Sequence, residues 1–192
     1  MSDDAFIQRL REHLGKPAGQ FTEYETPTIR QPASEGDVAC AEARLGMKLT
    51  PLLRRIFTEV ADGGFGPGYG LFSAGGPSPA GRPETLVHVY EKLSSDSEWP
   101  EFLLPINDWG CANWSCLDCR DDEGPIVMLA GDLGLFEMPY TLRSWLEAWI
   151  NGVDLWNEMY EPGPAMIGTN PFTKKPMQIA GSGKPRGIKR IH

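Results

Sequence analysis

The stretch LLPINDWGCANWSCLDC, residues 103–119, decides how the rest of the chain is arranged. It begins with apolar residues, passes through a turn-forming group at 107–110, and then alternates between side-chain types up to 119. Two extended runs separated by turn-forming residues are typical of a β-hairpin. We therefore predict a strand at 102–106, a turn at 107–110 and a partner strand at 112–119, at the centre of a binding module.

The cysteines of this stretch are the first candidates for chemistry. The pair Cys116-x-x-Cys119 is half of a zinc-ribbon site, and Cys111 and Cys40 could complete a four-thiolate set. Structural zinc usually needs two short-spaced pairs, whereas this sequence has one, and its three histidines are scattered. Side chains alternate between the two faces of a strand, so Cys116 and Cys119 are expected on opposite sides of the sheet. We predict no metal site.

Enzymatic motifs are also lacking. A redox C-x-x-C motif belongs at the start of a helix, whereas this one ends a strand and precedes acids that raise a thiol pKa. The glycine-rich segment 63–70 follows a helix and carries no Lys-Ser/Thr, so it lacks the pattern of a phosphate loop. No G-x-S-x-G elbow is present. We predict no catalytic residue and no cofactor, and a zinc or thiol enzyme is the least favoured alternative.

Helical and extended patterns surround the hairpin. Helices are predicted at 2–14, from Ser34 with a capping box, from Pro51 with Thr50 as the cap, near 84–93, and from Thr141. Further strands are predicted at 71–73, 126–129 and 133–138. This order indicates an α+β fold, in which several helices pack on a mixed or antiparallel sheet.

The chain divides into three parts by composition. Residues 1–33 read as a helix and an extended arm, 34–160 as the main domain, and 161–192 as a basic, Pro/Gly-rich tail without a core of its own. No apolar run is long enough to span a bilayer, and no secretory signal begins the sequence. We therefore expect a cytoplasmic protein with free thiols.

The charge is unevenly distributed. Residues 1–160 hold 12 Lys and Arg against 25 Asp and Glu, whereas residues 161–192 hold six against one. An acidic body repels nucleic-acid backbones and attracts basic partners, so we expect a basic protein partner and no direct nucleic-acid contact. The alternative is that the negative charge serves only to keep the protein soluble. Two interpretations of the tail stay open: it has no role, or its basic residues fold back and mask the acidic body.

Three segments resemble the SMI1/KNR4 (SUKH) superfamily over residues 34–152. The first is ASEGDVACAEARLGMKLTPLLRRIFTEVADGGF (33–65), similar to a helix pair with an E-x-x-L-G motif, although Thr50 interrupts the usual Leu-Pro. The second is LLPINDWGCANWSCLD (103–118), in which Ala112 stands where glycine is usual. The third is the Trp-rich closing segment TLRSWLEAWINGVDLW (141–156).

The resemblance implies a non-catalytic module. In bacteria it implies an immunity protein that neutralises a polymorphic toxin, often a nuclease, and in fungi a regulatory or scaffold protein of cell-wall synthesis. The family has no general catalytic residues to carry over. From the sequence itself we expect the far end of the hairpin to present acid to solvent. Trp109 is a candidate aromatic anchor, with a core position as its alternative, and Trp114 is expected in the core. The expected partner-binding carboxylates are Asp118, Asp121, Asp122 and Glu123.

Overall fold

The computed structural model describes residues 2–16, 29–75, 85–161, 163–169, 176–181 and 183–186. The helices are α1 (Asp3–Leu14), α2 (Glu35–Leu45), α3 (Pro51–Arg55), α4 (Leu86–Leu93), α5 (Leu142–Ile150) and α6 (Leu155–Met159), and a π-helical turn (Ile56–Val60) extends α3. The strands are β1 (Leu103–Gly110), β2 (Asn113–Asp118), β3 (Pro125–Ala130), β4 (Leu135–Thr141), β5 (Gly163–Thr169) and β6 (Pro176–Gly181). Within the described ranges, no helix is both long and apolar enough to cross a membrane.

The four central strands form one antiparallel sheet in the order β1-β2-β3-β4. Each strand pairs with the next one along the chain, so short connections suffice to build it. The α+β prediction is confirmed. The predicted strands at 126–129 and 133–138 correspond to β3 and β4, although β4 begins two residues later, after a 3-10 turn at Gly131–Leu133.

The two faces of the sheet are buried in different ways. On one face, Leu104, Leu117 and Met128 join the main core with the buried side chains of α1, α2, α4 and α5. On the other face, Cys116 packs with Val127 in a smaller cluster. Neighbouring residues of β2 thus serve opposite faces, as strand alternation requires.

Local capping fixes where the main helices begin. Ser34 and Asp37 form the predicted capping box at α2, and Thr141 forms one with Ser144 at α5. Thr50 is different, because its hydroxyl makes no capping hydrogen bond to α3 and is buried without a hydrogen-bond partner. The predicted side-chain cap at Thr50 is therefore wrong, and Pro51 at the first helical position remains as the local start signal.

The predicted turn at 107–110 is wrong. β1 continues through these residues, and the turn consists of Cys111 and Ala112 between the paired residues Gly110 and Asn113. The glycine-rich segment before α4 explains the difference. The Tyr69 amide donates to the Asp108 carbonyl, and the strand segment expected at 71–73 forms only isolated bridges, one of them antiparallel to β1.

The two ends of the chain carry one helix and one small sheet in the described residues. α1 places Phe6, Ile7 and Leu10 in the main core, whereas residues 17–28 of the expected arm lie outside the described residues. In the tail, which is predicted to have no core of its own, β5 and β6 pair in an antiparallel two-stranded sheet.

Candidate interaction surface

Burial suppresses the chemistry of the central cysteines. Cys116 is fully buried, and burial raises the pKa of its thiol far above the ordinary range. Burial, reinforced by the charge of Asp118, raises the pKa of Cys119 to about 12. Both thiols are therefore protonated at neutral pH and are weak nucleophiles and ligands. In the described part of the chain, no three His, Cys, Asp or Glu side chains form a group that could hold a metal ion.

The acidic turn after β2 divides into one buried and three exposed carboxylates. Asp121, Asp122 and Glu123 are exposed. Asp118 is 9% exposed, and its two oxygens accept hydrogen bonds from Arg120 at 3.0 and 2.6 Å. Burial opposes ionisation of Asp118, but the Arg120 hydrogen bonds and charge outweigh it and hold its pKa below the ordinary value. The prediction that Asp118 presents its acid to solvent is therefore wrong.

The structure separates Trp109 from this turn. Trp109 is half-buried, and its Nε1 donates to the buried Ser115 hydroxyl at 2.8 Å. The Asp108–Trp114 pair lies four residues along β2 from Asp118, which corresponds to about 13 Å of strand. The expected anchor and the expected carboxylates thus lie towards opposite ends of the sheet.

Trp114, which the sequence analysis assigns to the core, is half-buried. It pairs with Leu129 across β2 and β3 and packs against both hydrophobic clusters.

Four aromatic side chains surround the other end of the β1–β2 hairpin, and we call them the aromatic edge: Tyr69, Trp109, Trp156 and Tyr160. The Trp109 and Trp156 ring centroids are 5.8 Å apart, and Trp156 stacks on Tyr160 at 4.2 Å. The Tyr160 hydroxyl reaches Asn113 Oδ1 at 2.7 Å, which joins α6 to the hairpin. Tyr69 and Trp156 are 51% and 38% exposed, so the edge offers two large apolar surfaces to solvent.

Two glycines allow this edge to close. A Cβ on Gly68 would lie 2.8 Å from Trp109 Cε3, and a Cβ on Gly110 would lie 2.9 Å from Tyr69 Cε2. Both residues have positive φ, so a side chain there would be strained as well as crowded. The glycine-rich segment was predicted only as a turn, and neither Tyr69 nor Trp156 was predicted as a site residue. The Tyr between two glycines was the available signal for Tyr69.

Ion pairs are concentrated in the N-terminal helices and leave the sheet half acidic. Residues 93–161 hold 14 Asp and Glu but only two basic residues, Arg120 and Arg143. Arg120 pairs with Asp118, and Arg143 pairs with Asp3. Eleven of the 14 acids are exposed. This half of the domain therefore carries a surplus of negative charge that its own basic residues do not neutralise.

An open cavity of about 440 Å³ lies between the ends of α2 and α4. Its polar lining includes Asp96 and Glu101, with Tyr90 and Trp99 as the aromatic members. Ser94 and Ser97 complete its polar lining, and no His, Cys or Lys is among the described lining residues.

The fold is thus an α+β domain with helices against one face of an antiparallel meander and an acidic, aromatic surface at its sheet half. The chain belongs to the SMI1/KNR4 family (SUKH-1), whose family model matches residues 32–152. The match covers more than half of the 192 residues and confirms the resemblance seen in the sequence. No curated protein matches the chain.

Proposed function

We propose that this protein is a non-catalytic binding module of the immunity type, which neutralises a basic toxin domain in the cytoplasm of the cell that makes it. The observation that carries the proposal is the charge of the sheet half, with 14 acids against two basic residues that are both paired. Membership of the SMI1/KNR4 family supports a module of this kind.

A basic partner follows from electrostatics. A toxin that acts on nucleic acid needs a positive surface for the phosphate backbone. A protein with an opposing negative surface accelerates its encounter with such a toxin and can occupy the same positive groups. Asp121, Asp122 and Glu123 are among the exposed acids of this negative surface, and Trp109 lies too far from them to act in the same small contact.

Co-expression tests the proposal directly. The chain is expressed with the product of the adjacent open reading frame, and growth and direct binding are measured. We expect rescue of growth, one-to-one binding, and an affinity that falls as salt rises. A neighbouring product that is harmless alone, or that the chain neither binds nor neutralises, would contradict the proposal.

A regulatory or scaffold role of the SMI1/KNR4 type is the second candidate. The β5–β6 sheet favours it, because this element lies beyond the matched residues 32–152 and gives the chain a second possible contact region. This role predicts several partners and no toxic neighbour. Affinity purification of the full chain, compared with a chain ending at Glu161, distinguishes the two.

A further inference from the structure

We infer that the aromatic edge, rather than the acidic turn at 121–123, is the docking surface for a basic protein segment, with arginine side chains stacked on Tyr69 and Trp156. The inference rests on the proposed function for the identity of the partner, but the surface itself can be tested without it.

The apolar centre of this surface has the composition of an interaction hot spot. Tyr, Trp and Arg carry a large share of binding energy in protein interfaces, and Tyr and Trp bury much area at little entropic cost. The Trp156 ring is fixed by stacking on Tyr160, and the Tyr69 ring lies against Gly110. Both rings are therefore already held in place, so docking of a partner would cost little side-chain entropy at this surface.

Exposed carboxylates lie close to this centre along the chain. Asp154 caps α6 and Glu158 lies within it, each two positions from Trp156, and Asp132 follows Gly131, whose amide donates to the Ala112 carbonyl of the hairpin turn. In the part of the chain that the structure describes, no Lys or Arg forms an ion pair with any of these three acids. An arginine can pair with such a carboxylate while its planar guanidinium stacks on an aromatic ring.

The chain itself places one guanidinium beside this surface. Arg186 Nε donates to the carbonyls of Asn157 and Tyr160, both at 3.0 Å, next to the Trp156–Tyr160 stack. The last carbonyls of α6 thus already accept an arginine. Beside the acidic turn, the Phe102 ring is already covered by Arg120, which also pairs with Asp118. That ring is therefore not open to an arginine from a partner.

The first experiment uses an octa-arginine peptide as the probe and the full chain labelled with ¹⁵N. At low ionic strength, we expect saturable shifts of the Trp156 and Trp109 indole N–H signals and of the Tyr69 amide. Shifts confined to residues 121–123, or no binding at all, would overturn the inference. This titration uses the wild-type protein, so its result does not depend on whether any variant folds.

Variants then measure the contribution of the rings. Tyr69→Ala with Trp156→Ala is expected to weaken peptide binding about tenfold, whereas Tyr69→Phe with Trp156→Phe should retain it within about twofold. Ile29→Ala is the matched control, because Ile29 is another exposed apolar residue, 43% exposed, outside the edge. A loss as large in the control or in the phenylalanine variant would contradict stacking as the cause.

Binding to the expected toxin, the product of the adjacent open reading frame, tests this inference separately from the proposed function. The Tyr69→Ala, Trp156→Ala variant should bind the product of the adjacent open reading frame about 30-fold more weakly than the wild type does. The triple variant of the acidic turn, Asp121→Asn with Asp122→Asn and Glu123→Gln, should lose no more than about threefold in affinity. The reverse ranking would overturn the inference and leave the function intact. If the wild type neither binds nor rescues, the proposed function fails, and the peptide titration still decides the surface.

Discussion

The hairpin turn at Cys111–Ala112 is under backbone strain that a single substitution should relieve. A two-residue hairpin turn with positive φ at both positions favours Asn-Gly, yet here Cys111 and Ala112 adopt φ values of 51° and 60°. For a residue with a Cβ, this left-handed conformation costs about 1–2 kcal/mol. Both side chains are exposed, so their removal loses little packing.

Ala112→Gly is therefore expected to stabilise the fold. Relief of about 1–2 kcal/mol is offset by roughly 0.5–1 kcal/mol of additional unfolded-state entropy, so the net gain in the free energy of unfolding is about 0.5–1 kcal/mol. For a chain of this size, a gain of 1 kcal/mol raises the melting temperature by about 2–4 °C. Urea unfolding followed by tryptophan fluorescence measures the change. The Cys111 and Ala112 carbonyls, which accept from Asn113 Nδ2 and the Gly131 amide, keep both hydrogen bonds in the variant.

The same chemical change in a helix supplies the control. Ala39 is exposed in the interior of α2, so Ala39→Gly should destabilise by about 1 kcal/mol. Opposite signs at the two positions would show that the conformation of Ala112, and not the loss of a methyl group, decides the effect. If Ala112→Gly destabilises as Ala39→Gly does, the reasoning from positive φ is refuted.

Three further predictions concern buried polar groups. Trp109→Phe should cost about 1–3 kcal/mol in urea unfolding, because the buried Ser115 hydroxyl loses its donor, and Ser115→Ala in that background should then cost little more. Glu42→Gln should lower the free energy of unfolding by about 1–3 kcal/mol at pH 7, because the buried charged group is well hydrogen-bonded. Burial opposes ionisation of Glu42, but hydrogen bonds from Lys48, Leu49 and Arg54 hold its pKa below the ordinary value. This contribution to stability is present above about pH 4.5 and is lost as the pH falls through the lowered pKa. The difference in the free energy of unfolding between wild type and Glu42→Gln should therefore disappear in acid. A difference that does not change with pH would contradict the reasoning. Burial raises the pKa of Tyr160 to about 12, so the contribution of its neutral form to the free energy of unfolding is complete below about pH 10 and is lost as the pH rises towards 12. Tyr160→Phe should flatten that alkaline loss of stability. An unchanged pH profile of stability in the variant would exclude the assignment.

Local sequence signals predicted the elements that depend on neighbouring residues. The capping box at Ser34 and the helix start at Thr141 involve partners within a few residues along the chain, and the structure has both of them. The opposite faces of Cys116 and Leu117 follow from strand alternation alone. Family membership was likewise readable from short motifs in their order.

Tertiary contacts decided the features that the sequence analysis predicted wrongly or did not select. Residues 107–110 have turn-forming side chains, but Asn107 Nδ2 donates to the Pro67 carbonyl at 2.6 Å and Leu71 bridges to Asn107, so these residues stay in β1. Asp118 looked solvent-exposed because acids surround it in sequence, whereas the fold buries it against Arg120.

The sequence by itself therefore determined the fold class, the family, the inert environment expected for the thiols, and the acidic character of the body. Periodicity, capping and charge are properties of nearby residues or of the whole composition. Only the tertiary structure decided where the hairpin turns and which side chains share the aromatic edge. Tyr69, Trp109 and Trp156 are separated by up to 87 positions along the chain, and only the packing of the glycine-rich segment and α6 against the hairpin brings them together.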